Sequence, residues 1–311
     1  METGETNRQD KRVGALVIVS LYEGSIPSTS TISPTGDVLL AKWSKQMQPI
    51  HIVVCGAQGR MGRQILSVLK DNAGFRVTGV VEAPGHCDIG VEIASGLFLV
   101  DELASVLKKD DVMIEFSTPI ATLEHLHCAA KTGARAVVGT TGFSDSQLGE
   151  IGQISRTIPV LLSPNMGLGV NVLFSLVGQV ARLLPDFDKE VIEAHHNLKK
   201  DAPSGTAQRI AEILARASGS NLPDLAVYGR EGIIGPRKKA ELGIHSIRGG
   251  TIVGEHTVVF CGDGERLELT HRAESRRLFA RGALVAAQFV SQQQPGLYDL
   301  QDALGISKEV E

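Results

Sequence analysis

Apolar runs and amphipathic stretches alternate along the chain after residue 47. Ile50–Cys55 is rich in β-branched residues and is typical of a buried strand, and Arg63–Lys70 has the spacing of a surface helix. The same alternation predicts strands at Arg76–Val81, Asp111–Phe116, Ala134–Val138 and Pro159–Leu162, and a helix over Ala121–Lys131. Strands and helices that alternate in this way predict a parallel sheet covered by helices.

The pattern changes after Met166. A helix is predicted over Val170–Leu184, and the apolar pair Val191-Ile192 predicts a strand that leads into a polar loop. Further on, Thr251–Cys261 and Arg266–His271 alternate on either side of a glycine-rich turn, which predicts a hairpin. This half of the chain is therefore expected to contain an antiparallel or mixed sheet.

These elements predict an α/β protein with two domains. A Rossmann-type dinucleotide-binding domain is expected over residues 48–166 and 276–311, because the helix predicted at Phe279–Phe289 is expected to pack back on it. An α+β domain with a mixed sheet is expected over residues 167–275. Residues 1–47 are rich in Ser, Thr and Gly and are expected to be a disordered leader or one added by cloning.

Composition excludes several classes of function. A net charge of −4 and an aromatic content of 4% give no support for nucleic-acid binding. The four cysteines are scattered without a C-x-x-C pair, which indicates a reducing compartment, and we expect the cytoplasm. The sequence holds no run of about 18 apolar residues, so no membrane span is expected.

A glycine motif, Gly56-Ala-Gln-Gly-Arg-Met-Gly62, stands between the first strand and the first helix. Glycines at this turn let the backbone approach a pyrophosphate, which the helix N-terminus then attracts. The spacing is G-x-x-G-x-x-G rather than G-x-G-x-x-G, so the motif is weak by itself. Glu82 ends the second strand 20 residues after Gly62, where an acid accepts ribose hydroxyls, although an ordinary surface glutamate is the alternative.

Small polar residues or glycine follow the other strands of the first domain. They form the stretches Ser117-Thr-Pro119, Gly139-Thr-Thr-Gly142 and Ser163-Pro-Asn-Met166. Because the carboxyl ends of parallel strands line the ligand crevice of an open sheet, these stretches are expected to face a ligand.

The polar loop that begins at Glu193-Ala-His-His196 carries two imidazoles and two lysines and leads to Ser204-Gly-Thr206. Ser204 is a natural N-cap, and the unpaired N–H groups after it form an anion site. The loop therefore predicts an anionic substrate and a proton donor, although many such loops are merely solvated. We expect no metal site, because His195 and His196 point to opposite faces of a strand and the loop lacks zinc-ligand spacing.

Taken together, the motifs resemble those of the dihydrodipicolinate (4-hydroxy-tetrahydrodipicolinate) reductase family over Ile50–Ile306. The resemblance is carried by the glycine motif, by Glu193-Ala-His-His196 with Lys199-Lys-Asp-Ala-Pro-Ser-Gly-Thr206, and by shorter strings. Those are Gly139-Thr-Thr-Gly142, Gly254-Glu-His256 and Gly264-Glu-Arg-Leu267.

The resemblance implies a role for each matching residue. The catalytic, proton-transferring residues would be His195 and Lys199. The substrate would be bound by His196, Gly205 and Thr206. The dinucleotide would be bound by Gly56, Ala57, Gln58, Gly59, Arg60, Met61 and Glu82, and on its nicotinamide side by Gly139, Thr140, Thr141, Ser163, Pro164, Asn165 and Met166.

The resemblance also implies the reaction and the assembly. The substrate would be a small cyclic dicarboxylate, reduced with NADH or NADPH in the diaminopimelate route to lysine. The domain at 167–275 would bind substrate and join four copies into a homotetramer. Members that use NADPH well tend to carry Arg after the ribose-binding acid, whereas Ala83 follows Glu82 here, so we expect NADH to be preferred and NADPH to remain possible.

Two other functions stay open at this point. One is another amino-acid-pathway dehydrogenase on the same framework, such as a homoserine or aspartate dehydrogenase, which the Asp-Ala-Pro-Ser-Gly-Thr string argues against. The other is a non-catalytic nucleotide sensor, which would not need His195 and Lys199. Substrate-dependent turnover with either nicotinamide separates the three.

Overall fold

A computed structural model describes residues 48–94 and 96–306, so the leader predicted over 1–47 lies outside the described residues. An eight-stranded sheet is formed by seven strands from residues 50–162 and one from residues 296–298, in the order β13-β7-β6-β5-β1-β2-β4-β3. Its strands are β1 (Ile50–Cys55), β2 (Phe75–Val81), β3 (Glu92–Ala94), β4 (Leu97–Val100), β5 (Val112–Glu115), β6 (Arg135–Val138), β7 (Pro159–Leu162) and β13 (Gly296–Tyr298). All neighbours pair in parallel except β3 and β4, which are antiparallel.

Helices cover both faces of this sheet. They are α1 (Arg60–Lys70), α2 (Pro119–Thr132), α3 (Asp145–Ile154), α7 (Arg277–Val290) and the short α8 (Leu300–Leu304), with a 3₁₀ turn at Leu103–Ser105. The helix predicted at Phe279–Phe289 is α7, and it packs against α1 as expected. The parallel sheet confirms the predicted Rossmann-type α/β fold.

Alternation along β1 divides the core of this sheet into two layers. Ile52 and Val54 point to the side of α1 and α7, whereas Val53 and Cys55 point to the side of α2 and α3. All four side chains are almost fully buried because successive residues of a strand face opposite sides and helices cover both.

The second sheet has five strands in the order β12-β11-β8-β10-β9. They are β8 (Asp188–His195), β9 (Ala226–Tyr228), β10 (Leu242–Arg248), β11 (Gly254–Cys261) and β12 (Arg266–Ala273). β10 runs parallel to β8 and β9, whereas β11 is antiparallel to both β8 and β12, so the sheet is mixed as predicted.

One face of the second sheet is covered by helices. These are α4 (Leu168–Leu183), α5 (Gly205–Ala217) and α6 (Leu222–Leu225). Ile210 and Leu214 of α5 are fully buried against Val191 of β8 and Phe260 of β11. The parallel connection from β8 to β10 runs through α5, which puts the end of β10 beside the end of β8.

The sequence analysis did not predict β3, β4, β9, β10 and β13 or the helices α3, α6 and α8, and α1 begins at Arg60 rather than Arg63. No helix within residues 48–94 and 96–306 combines the length and the apolar character that crossing a membrane requires.

Candidate active site

The glycine loop after β1 is shaped by two glycines. Gly56 has φ 68°, a conformation that favours glycine. A Cβ on Gly62 would lie 2.7 Å from the Cα of Ala57, so only glycine lets α1 approach the loop this closely. The loop is closed by the Gly59 N–H, which donates to the Gly56 carbonyl at 3.0 Å. Gly59 is the N-cap of α1 and has no side chain, so the first N–H groups of the helix are left for a ligand.

Glu82 lies directly beside this loop. Its Oε2 accepts a hydrogen bond from the Gln58 N–H at 2.9 Å, and its Oε1 accepts one from the Ala83 N–H at 3.0 Å. The carboxylate is therefore fixed at the edge of the glycine loop rather than on a free surface. An uncapped helix start, two required glycines and a fixed acid fit a dinucleotide whose ribose is bound by a carboxylate.

The loops after β5, β6 and β7 lie side by side because these strands are neighbours in the sheet. The Thr140 side chain is buried, and the Oγ1 atoms of Thr122 and Thr140 are 2.9 Å apart. Thr141 is exposed, and the Ser163 Oγ donates to the Asn165 carbonyl at 2.9 Å. Met166, another candidate cofactor residue, is almost fully buried in the hydrophobic core.

One hydrogen bond joins the loop after β7 to the first turn of α5. Asn165 Nδ2 donates to Thr206 Oγ1 at 3.1 Å. Asn165 is itself fixed, since its Oδ1 accepts from the Gly167 N–H at 2.8 Å and its carbonyl accepts from Asn171 Nδ2 at 2.8 Å. A predicted cofactor residue and a predicted substrate residue are thus in direct contact.

Ser204 caps α5, as the sequence predicts. Its Oγ accepts from the Ala207 N–H at 3.2 Å, and Gly205 and Thr206 form the first turn. The same Oγ lies 3.0 Å from Nε2 of the buried His256. The pKa of His256 is lowered to about 3, first by burial and then by the nearby His195, so this imidazole is neutral near pH 7.

His195 is held by a buried carboxylate. Its Nδ1 lies 2.6 Å from Oε2 of Glu193, two residues earlier on the same face of β8. Burial lowers the pKa of His195, and the positive charges of Lys199 and Arg248 lower it further, while Glu193 opposes this shift. Lys199 is therefore close enough to His195 for its charge to act on the imidazole. The Lys199 Nζ is itself paired with Asp201 Oδ2 at 2.8 Å.

His196 does not share this environment. Its Nδ1 is buried without a hydrogen-bond partner within the described part of the chain. It follows His195 directly, so the two imidazoles point to opposite sides of the extended segment. Among the predicted residues, the structure brings His195 and Lys199 within electrostatic range and ties Thr206 to Asn165.

Two family models match the chain. The model described as dihydrodipicolinate reductase, N-terminus, covers residues 50–166, and the C-terminus model covers residues 169–304. The chain belongs to the dihydrodipicolinate reductase family. Membership confirms the resemblance that the motifs indicate and the prediction of an oxidoreductase; the family consists of NAD(P)H-dependent reductases.

Relatives of this family match almost end to end. The 4-hydroxy-tetrahydrodipicolinate reductase of Syntrophobacter fumaroxidans is 48% identical over 265 residues, which span 83% of this chain and 99% of that protein. The enzyme of the same name from Geobacter metallireducens is 46% identical over 265 residues, with the same coverage. A solved dihydrodipicolinate reductase from Paenisporosarcina sp. TG-14, bound to dipicolinate, has a TM-score of 0.67 at 23% identity and covers 81% of this chain and 97% of that one. This last likeness supports the fold alone.

The site of this family member also contains residues to which the sequence analysis assigned no role, although Glu193, Asp201 and His256 lie within the matching motifs. Glu193, Arg248, Asp201 and His256 hold the predicted residues in place. The spacing of two between Glu193 and His195 on a strand was a signal available in the sequence. Nothing in the sequence indicated Arg248, because its place in the site depends on the pairing of β10 with β8.

Proposed function

We propose that the chain catalyses the NAD(P)H-dependent reduction of 4-hydroxy-tetrahydrodipicolinate to tetrahydrodipicolinate in the diaminopimelate route to lysine. The bond from Asn165 to Thr206 carries this proposal, because it brings the carboxyl end of the first sheet against the anion-binding start of α5. A dinucleotide and a small dicarboxylate are thereby held at one shared edge. In this reaction substrate, NAD(P)H and one proton give product, NAD(P)⁺ and water.

In this proposal the domain formed by residues 48–166 and 276–311 binds the dinucleotide through its glycine loop. The domain at 167–275 binds the substrate. When bound, the nicotinamide supplies a hydride. The pyrophosphate is held by Gly56, Ala57, Gln58, Gly59, Arg60 and Met61. The ribose is held by Glu82. The nicotinamide side is held by Gly139, Thr140, Thr141, Ser163, Pro164, Asn165 and Met166.

Glu82 and Ala83 together favour NADH. The Glu82 carboxylate can accept both ribose hydroxyls, but it repels a 2′-phosphate. The Gln58 N–H fixes the carboxylate at 2.9 Å, so the acid cannot easily turn away from that phosphate. Ala83 is exposed and brings no cation to offset the repulsion. NADPH is used as the poorer of the two cofactors.

The polar loop and the start of α5 bind the substrate carboxylates. His196 and the N–H groups of Gly205 and Thr206 supply hydrogen bonds to these anions. Thr206 Oγ1 accepts from Asn165, so its own hydroxyl proton is free to point at a carboxylate. Asn165 thereby orients a substrate contact while it lines the cofactor side.

His195 and Lys199 take part in the proton-transfer step in this proposal. Loss of water and hydride addition leave an enamine that must be protonated at carbon, and a positioned acid accelerates that step. Burial keeps His195 neutral near pH 7, whereas the Lys199 ammonium is held by Asp201 at 2.8 Å. We assign delivery of the proton to Lys199. We assign to His195 the orientation of the substrate ring.

The second sheet is the proposed site of assembly. Large apolar side chains are exposed on its strands β10 and β12, at the end of β9 and on the connection after β9. They are Tyr228, Ile233, Ile234, Ile247 and Leu267. Such a patch on a sheet whose other face is covered by helices suits contact with further copies, and we propose a cytoplasmic homotetramer. Light scattering coupled to gel filtration measures the mass, and a monomer would contradict this part of the proposal.

Side-by-side oxidation of NADH and NADPH in the presence of freshly generated 4-hydroxy-tetrahydrodipicolinate tests the function. We expect substrate-dependent turnover with both cofactors and a higher kcat/KM for NADH. Turnover of homoserine or aspartate instead would assign the chain to another dehydrogenase. Cofactor binding by calorimetry without any turnover would identify a sensor.

A further inference from the structure

We propose that Glu193 is a positioning residue that fixes the tautomer of His195 and, through the same carboxylate, the start of α5. This inference rests on the proposed function, because it concerns the residues that would handle the proton and the substrate anion. Glu193 itself is fully buried and is separated from solvent, so it acts through the groups that it binds.

Both oxygens of the Glu193 carboxylate are saturated by donors from three segments. Oε2 lies 2.6 Å from His195 Nδ1 and 2.8 Å from Arg248 Nη1. Oε1 lies 2.7 Å from Arg248 Nη2 and 3.1 Å from the Ser204 N–H. Arg248 thus makes the paired contact that a guanidinium makes with an ionised carboxylate.

The charge of Glu193 follows from this environment. Burial alone would raise its pKa, but hydrogen bonds from Arg248, His195, Ser246 and the Ser204 backbone lower it to about 2. An ionised carboxylate is only an acceptor, so the proton on His195 must sit on Nδ1. The Nε2 atom is then the basic nitrogen of the neutral ring, and it borders Gly254, where a Cβ would lie 3.1 Å away.

Arg248 also holds the polar loop in place. Its Nη2 also donates to the carbonyl of Asp201 at 2.7 Å, and Asp201 in turn pairs with Lys199. Arg248 stands opposite His195 in the parallel pairing of β10 with β8. The partly buried Glu193–Arg248 ion pair therefore connects His195, the Lys199–Asp201 pair and the N-cap of α5.

Several charged or titratable groups face His195 and must be counted in any pH effect. They are Glu193 on its own strand, Lys199 in the loop, Arg248 on β10 and His256 on β11, whose ring centroid is 5.2 Å from that of His195. Of these, only Glu193 raises the pKa of His195. Its neutralisation must therefore lower that pKa further.

Nitrogen-15 NMR of the histidine rings tests this in the full-length protein without any turnover. In the unsubstituted protein we expect neutral His195 to carry its proton on Nδ1. In Glu193→Gln we expect this preference to weaken and the pKa of His195 to fall, and we expect kcat to drop by about 10²-fold, as for loss of an oriented proton-transfer group.

Glu190→Gln is the matched control. Glu190 lies on the same strand and is also a salt-bridged carboxylate. Its partners are Arg230 and Arg237 in the connection between β9 and β10, and His245 on β10. We expect its removal to leave the His195 resonances and kcat unchanged. An effect on His195 equal to that of Glu193→Gln would overturn the proposal.

The NMR measurement on the unsubstituted protein decides the question even if Glu193→Gln does not fold. If its His195 carries the proton on Nε2, the positioning role is wrong even though the enzyme turns over dicarboxylate. If the Nδ1 tautomer is found and no dicarboxylate is reduced, the proposed function is wrong while the hydrogen-bonded arrangement stands.

Discussion

Asn165 Nδ2 donates to Thr206 Oγ1 at 3.1 Å, which ties the loop after β7 to the first turn of α5. The two residues are 41 positions apart and follow strands of different sheets, β7 and β8. Asn165 is held by the Gly167 N–H and by Asn171, so Thr206 contacts a candidate cofactor residue whose own position is fixed. Substrate binding and cofactor binding are therefore expected to depend on each other.

Thr206→Val is expected to raise the KM for the dicarboxylate by about 10- to 100-fold, because a hydrogen bond to a charged group contributes roughly 1.5–3 kcal/mol. Thr257→Val is the control, since Thr257 forms an exposed pair with Thr270 at 3.0 Å, away from α5. Steady-state kinetics at saturating NADH measure both. An unchanged KM in Thr206→Val would show that the backbone N–H groups bind the carboxylate without the hydroxyl.

Lys199→Ala and His195→Ala are each expected to lower kcat by about 10²–10⁴-fold, since each removes part of the proton-transfer arrangement. The dissociation constant of NADH, measured by fluorescence titration, should change little. Lys239→Ala removes a lysine from an exposed ion pair with Asp186 and should leave kcat unchanged. Near-normal turnover in both site variants would rule out these roles.

Ala83→Arg is expected to shift the ratio of kcat/KM values from NADH toward NADPH, because it places a cation next to the carboxylate that repels the 2′-phosphate. Gln153→Arg adds the same charge on the exposed surface of α3 and should leave the ratio unchanged. An unaltered ratio in Ala83→Arg would mean that position 83 does not face the ribose. A clear NADPH advantage in the unsubstituted protein would contradict the proposed preference itself.

Stability is expected to fall as the pH decreases from about 6.5. The pKa of His256 is about 3 in the folded protein against 6.5 as its ordinary value, so between these values the unfolded chain binds a proton that the folded chain does not. Each pH unit in that window costs up to about 1.4 kcal/mol. Glu193, with a folded pKa of about 2, contributes stability that is present above 4.5 and lost below it.

His256→Gln separates these effects, because it removes the titrating ring and keeps an amide that can donate to Ser204 Oγ or accept from it. Urea unfolding between pH 4.5 and 6.5 should therefore give a shallower dependence of the unfolding free energy on pH in this variant. A slope equal to that of the unsubstituted protein would show that His256 is not the group that titrates.

Elements whose causes are local could be predicted from the order of residues alone. Ile50–Cys55 forms the predicted strand because its apolar, β-branched residues suit a buried position, and Ser204 caps α5 because its hydroxyl reaches an N–H three residues on. Gly56 takes the positive φ that the turn requires. The glycine loop, the capped start of α5 and the family are therefore all identified by the amino-acid sequence.

Some local signals were nevertheless too weak to identify. Helix α3 begins with a capping box between Ser144 and Gln147, but Gly149 and Gly152 interrupt its apolar spacing. In β10, Leu242, Gly243 and Ile244 are buried in succession and polar residues follow, so the strand shows no alternation. Burial by neighbouring elements, rather than the pattern of the segment itself, stabilises this strand.

The way the site is held together depends on the tertiary structure. Arg248 reaches Glu193 across 55 positions, and His256 reaches Ser204 across 52, because β10 and β11 flank β8 in the second sheet. Strand order depends on how α4 and α5 cover the sheet, and residue spacing along the chain does not record it. A buried carboxylate binds whichever donors the fold brings to it, so the partners of Glu193 follow from the pairing of the strands and not from the residues around it in the chain.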